Sequence, residues 1–127
     1  MGVRVGARAG VELTVGEADT AQELGSGDVP VLGTPRALAL AEAATVAATA
    51  GTLEPGLTTV GTRVELEHLA PTPVGRTVRA VATLLEAEGR RLVFEVTVHD
   101  GDTVAARGRV ERVIVDRQTF VQRATGA

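Results

Sequence analysis

The chain has no cysteine, which excludes disulfides, a thiolate nucleophile and cysteine-ligated metals. Tryptophan and tyrosine are also missing, and Phe94 and Phe120 are the only aromatic residues. Nucleobases would find no stacking platform here. Charges of both signs are scattered over a formal net charge of −3, so no basic stripe exists and nucleic-acid binding is not expected. No run of 18 apolar residues occurs, and no membrane span is expected. No charged-then-apolar leader opens the sequence, which makes a cytoplasmic location the expectation. Glycine-rich phosphate loops, HExxH and CxxC patterns are absent, and no metal or organic cofactor is expected. What remains is 127 residues rich in Val, Leu and Ala, expected to form one domain over 1–127 with a core that needs no covalent staple.

The clearest element is a helix over residues 34–50, TPRALALAEAATVAATA. Thr34 suits its N-cap, Pro35 its first helical position and Gly51 its C-terminal cap. Arg36 and Glu42 are its only charged residues, and a helix apolar all round is expected to be buried. Before it, residues 3–15 read as a strand interrupted by glycines, and residues 16–33 as a helical turn near Asp19 to Leu24 followed by a loop. After it, strands are expected over 57–70, 76–88, 91–99 and 103–115. Asp100-Gly101 marks a hairpin. The first of these four puts Val60, Thr62, Val64, Leu66 and His68 on one face. The polar tail from Asp116 is expected to fray. One long buried helix wrapped by a curved antiparallel five-stranded sheet satisfies this order, which is the hotdog architecture of the α+β class. Its open sheet edges predict a homodimer formed edge to edge.

Three side chains could carry chemistry. Glu42 lies two turns into a helix without a polar face, where a carboxylate needs a partner or a route to solvent. His68 shares a strand face with aliphatic residues; its bland role is a hydrogen-bonded core or interface histidine. His99, beside the Asp-Gly turn, reads as solvated. Thr34 is explained by capping, yet a helix start also offers free N–H groups to a carbonyl or phosphate. A hydroxyl, a carboxylate and an imidazole around one helix suit acyl hydrolysis.

GTPRALALAEAA (33–44), TTVGTRVELEHLAPTPVG (58–75) and EGRRLVFEVTVHDG (88–101) together resemble the fluoroacetyl-CoA thioesterase family of hotdog proteins, from about Thr14 to about Arg117. The resemblance implies hydrolysis of a small acyl-CoA to acid and free coenzyme A, with the substrate at the interface of a homodimer. Coenzyme A would then be part of the substrate. It implies Thr34, Glu42 and His68 as the catalytic set, and Gly61 as the residue that positions the acyl group. A basic residue near Arg112 would contact coenzyme A, with Arg90, Arg91, Arg107 and Arg109 as other candidates. The fluoroacetyl-specific member gates its site with phenylalanines before the helix; residues 16–33 here contain none. Two other readings compete. A hotdog hydratase would need an acid/base pair on the helix, and no Asp-x-x-x-x-His occurs. A non-catalytic acyl-CoA or small-ligand binding module would share the pocket and the dimer.

Overall fold

A computed structural model describes residues 2–126. Strand β1 (Arg8–Thr14) is followed by a 3-10 turn (Glu17–Asp19), the short helix α1 (Ala21–Leu24) and the long helix α2 (Thr34–Thr49). Strands β2 (Leu57–His68), β3 (Thr77–Glu88), β4 (Arg91–Asp100) and β5 (Thr103–Asp116) complete a five-stranded sheet, and helix α3 (Arg117–Thr125) ends the chain. The order across the sheet is β1-β3-β4-β5-β2, with every neighbouring pair antiparallel. β1 and β2 are therefore the free edges.

Helix α2 lies against the sheet with Ala37, Leu40, Ala41, Ala44 and Ala48 buried on Val78, Ala80, Ala82, Leu84, Phe94, Val96 and Val98. Alternation along β3 and β4 turns these strand residues toward the helix. The alanines on both sides leave little side-chain bulk between helix and sheet. On the opposite side of α2, Ala39, Ala43 and Val46 are exposed. The helix is thus apolar on both sides, but a single chain buries only one of them.

Several boundaries differ from the sequence expectation. The first strand begins only at Arg8, because Gly2 and Gly6 adopt positive φ and break the extended run. Thr34 is not the N-cap of α2; Gly33 is, with extended backbone angles and no side-chain cap. The tail does not fray from Asp116. That residue caps α3 by accepting from the Thr119 N–H at 3.0 Å, a contact that holds its carboxyl below the usual carboxylate range. His99 lies within β4, half-buried and with its Nε2 3.0 Å from the Thr97 hydroxyl, rather than in a solvated loop.

The correction with the largest consequence lies in β2. Its pairing with β5 runs Gly61↔Arg112 and then Arg63↔Glu111, so Thr62 is an extra residue in a bulge. A bulge switches which parity faces inward. Up to Gly61 the inward residues are Thr59 and Gly61; after it they are Val64, Leu66 and His68, opposite Val110, Gly108 and Ala106. Val60 and Thr62 therefore do not share the face of His68. Without the bulge, Gly61 and His68, seven positions apart, would point to opposite sides of the sheet.

Candidate active site

At the start of α2 the Thr34 hydroxyl, released from capping, lies 2.8 Å from His68 Nδ1. The last inward position of β2 brings the imidazole there. His68 Nε2 is buried with no hydrogen-bond partner among the described residues. Burial lowers the His68 pKa from its ordinary value, because a charged ring loses solvation there. Beside this pair opens a cavity of about 330 Å³, lined by Gly27, Val29, Val31 and Leu69 among others. The N–H groups available here are fewer than a generic helix start supplies. Pro35 has none, and the Arg36 N–H is bound to the Gly33 carbonyl at 3.0 Å. The Thr34 N–H makes no hydrogen bond among the described residues.

Two turns further along α2, Glu42 Oε2 accepts from Arg112 Nη1 at 3.1 Å. The arginine side chain is 8 % exposed and the glutamate 35 %, so a buried cation supports a half-exposed anion. Burial lowers the Arg112 pKa, and the charge and hydrogen bond of Glu42 oppose that shift. Gly61 leaves the space this pair occupies: a Cβ there would come within 2.5 Å of Glu42 Oε2 and 3.4 Å of Arg112 Nη1.

The structure therefore groups the expected residues as Thr34 with His68, and Glu42 with Gly61 and Arg112. Glu42 lies eight positions after Thr34 on the helix, about 12 Å along the axis at 1.5 Å per residue. His68 is held by Thr34, not by Glu42. Arg112 is buried beneath the carboxylate, while Arg90, Arg91, Arg107 and Arg109 are exposed. Sequence reasoning missed Thr59, which binds Arg112 twice, through its hydroxyl at 2.9 Å and its carbonyl at 3.0 Å. Its parity with Gly61 was the available signal. Among the described residues no group of His, Asp and Glu side chains could hold a metal ion, and no helix is long and apolar enough to cross a membrane.

The family model described as fluoroacetyl-CoA-specific thioesterase matches residues 15–118. A fluoroacetyl-CoA thioesterase of Streptantibioticus cattleyicolor is 42% identical over 81 residues, covering 64% of this chain and 58% of that protein. The matched stretch thus spans little more than half the length of that curated relative. A solved structure of the fluoroacetyl-CoA thioesterase FlK superposes with a TM-score of 0.92 at 34% identity, over 99% of this chain and 98% of that one. A hot-dog-like protein from Thermanaerovibrio acidaminovorans superposes at 0.88 with 26% identity, over 98% and 92% of the two chains. The helix-wrapping sheet and the extent of these matches lead to one conclusion: the chain belongs to the fluoroacetyl-CoA-specific thioesterase family.

Proposed function

We propose that this protein hydrolyses small acyl-CoA thioesters to a carboxylic acid and free coenzyme A, with Thr34, Glu42 and His68 meeting across the interface of a homodimer. The observation that carries this reading is the division of the residues into two half-sites about 12 Å apart on one helix, both facing inward along the free edge strand β2. A second copy supplies what one chain separates. In an antiparallel pairing of β2 with its own copy, centred on Glu65, Val64 would lie opposite Leu66 of the partner subunit. Because each strand carries the Thr62 bulge, His68 would then lie opposite Gly61 of the partner subunit, and hence beside its Glu42. Inward residues meet inward residues throughout, and Arg63 faces Glu67 of the partner subunit. The exposed apolar residues Ala39, Ala43, Val46 and Val64 are the surface such a dimer would draw on.

In this arrangement the thioester carbonyl would sit at the start of α2, polarised by the Thr34 hydroxyl and N–H. By one route His68 takes a proton from water as it attacks the carbonyl carbon. The tetrahedral intermediate then expels the coenzyme A thiolate, which recovers the proton. By the other route, a Glu42 oxygen attacks first and displaces the thiolate. The resulting mixed anhydride is hydrolysed by water with His68 assisting. In support of Glu42, Arg112 holds only Oε2, and Oε1 makes no hydrogen bond among the described residues. Neither route calls for a metal or organic cofactor. A cytoplasmic location belongs to the same reading, since acyl-CoA esters are made and used there.

Release of free thiol from a panel of acyl-CoAs tests the activity; binding without release would favour a non-catalytic module. The absence of cysteine allows a clean test of the dimer. Residues opposed across antiparallel strands have Cα atoms about 4.5–5.5 Å apart, inside the roughly 4.4–6.8 Å range of a disulfide. Glu65→Cys should therefore cross-link to a covalent dimer on mild oxidation and remain active. Sedimentation of the unmodified protein as a monomer at micromolar concentration would remove the composite site.

A further inference from the structure

Arg112 is 6 % exposed overall, and a guanidinium that loses water must be repaid by well-aligned hydrogen bonds. Its planar fork is rigid. Two bonds to one neighbour therefore fix the plane of the whole group and the direction of its remaining donors. Thr59 makes those two bonds: its hydroxyl accepts from Nε at 2.9 Å and its carbonyl accepts from Nη2 at 3.0 Å. The third donor, Nη1, then points through the gap above Gly61 to Glu42 Oε2 at 3.1 Å.

The three residues sit where sheet geometry puts them in reach. Arg112 is the cross-strand partner of Gly61, and Thr59 is the next inward residue on β2. It is thus the diagonal neighbour that a long side chain can reach. As a β-branched residue Thr59 suits a strand in any case. A valine would serve that purpose equally, so the hydroxyl is the part of the side chain that needs another explanation. It is also buried, with 9% of the residue exposed.

We propose that Thr59 is a positioning residue for hydrolysis. It holds Arg112 so that the guanidinium presents Glu42 with one oxygen fixed and the other free for the reaction. This rests on the reading that Glu42 takes part in thioester hydrolysis. Thr59 touches neither substrate nor reacting atoms; it acts through Arg112.

The test uses Thr59→Val, which keeps shape and backbone carbonyl but deletes the hydroxyl, and Thr59→Ser, which restores it. Thr59→Val should lower kcat about tenfold, the low end for losing a hydrogen bond to a charged group, with KM little changed. Thr59→Ser should return kcat to within about threefold of the original. In a Glu42→Gln background Thr59→Val should have no further effect, as coupled residues require. Exchange of the Arg112 Nε–H with solvent, followed by NMR, should accelerate in Thr59→Val and not in Thr59→Ser. Native kcat in Thr59→Val, failure of serine to restore it, or additive loss with Glu42→Gln would each overturn the proposal. If the unmodified protein hydrolyses no acyl-CoA, the functional reading fails instead. The exchange measurement still decides whether Thr59 holds Arg112, and unchanged exchange in Thr59→Val would overturn that as well.

Discussion

At the start of α2 a threonine hydroxyl meets an imidazole that has no charged group bonded to it, whereas eight residues on a carboxylate rests on a buried guanidinium that is itself anchored twice. The first half-site is neutral and bordered by a cavity. Its ring keeps one nitrogen without a partner among the described residues. The second is ionic and preorganised, with its geometry fixed from beneath by β2 and β5. Orientation and charge stabilisation are the costly parts of hydrolysis to assemble at the moment of reaction. In the proposed reaction the Glu42 side would hold them in advance, through the contacts of Arg112 with Glu42 and Thr59. The Thr34–His68 side would supply the proton carrier, an imidazole whose pKa is lowered by burial.

If both halves serve one reaction, breaking either should cost a similar amount. His68→Ala and Glu42→Gln are each expected to lower turnover about a hundredfold or more, the usual scale for removing an acid–base group. The double variant should be little worse than either single one. Thiol-release kinetics on a good substrate, with circular dichroism to verify the fold, decides this. Near-native turnover in His68→Ala would make that histidine structural and leave only the ionic half in the site.

Two glycines, Gly61 in the ionic half and Gly108 opposite Leu66 on β2, separate function from packing. Gly61→Ala puts a methyl against the Glu42 carboxylate, a half-exposed side chain that can swing away. We expect roughly tenfold loss of turnover with a stability cost of about 1 kcal/mol, the lower end for overpacking. Gly108→Ala instead drives a methyl into the Glu65 backbone carbonyl on β2, which cannot move without shifting the strand. Thermal unfolding should show the larger loss there, toward about 3 kcal/mol. Equal effects on turnover and stability in the two variants would remove the distinction between a site glycine and a packing glycine.

The neutral half is sharpened by pH. Burial depresses the His68 pKa, so the folded protein binds a proton less readily than the unfolded chain. The associated stability is fully present above the unfolded value near 6.5 and is lost as pH falls toward the folded pKa. Thermal unfolding should therefore show stability declining below about pH 6.5, and His68→Asn should flatten that decline. If His68 is the base, the acid limb of the pH–rate profile should also lie below the ordinary imidazole value. A limb above 6.5 would contradict the burial argument.

The elements were legible in the sequence to different degrees. Periodicity and turn chemistry predicted α2 and the four strands that follow it nearly to their ends, because buried residues recur at every second position over Val78–Leu84 of β3 and Leu92–Val98 of β4. Glu42 and His68 stood out because each interrupts an apolar pattern. The Thr62 bulge was not legible: an inserted residue changes parity without changing composition, and only pairing with β5 reveals it. Thr59 shares its parity with Gly61 ahead of the bulge, but a threonine in a strand draws no notice by itself, and Thr34 was assigned to a cap that the preceding glycine provides. Helix α3 was missed because its signals, an Asp116 cap and Gly126 at the end, frame a segment with no apolar face to bury.

The smallest expected effect concerns the acyl group. Segment 16–33 contains no aromatic residue, and the wall it gives the cavity beside Thr34 and His68 consists of small and aliphatic side chains such as Gly27, Val29 and Val31. An aromatic lid excludes water and adds shape contacts; these residues supply little of either. Pocket contacts distinguish even a full methylene by only about 1–3 kcal/mol, and fluorine differs from hydrogen by less. Specificity constants for acetyl-CoA and fluoroacetyl-CoA should therefore agree within about tenfold, near the low end of that range. An equally consistent result is a larger acyl group outperforming both, since each added methylene that leaves water is worth about 0.8 kcal/mol. Measuring the constants side by side settles the point. A preference for fluoroacetyl-CoA above about a thousandfold, roughly 4 kcal/mol, would locate selectivity outside this cavity. The ionic half-site around Glu42 and Gly61 would then be the place where the fluorine is read.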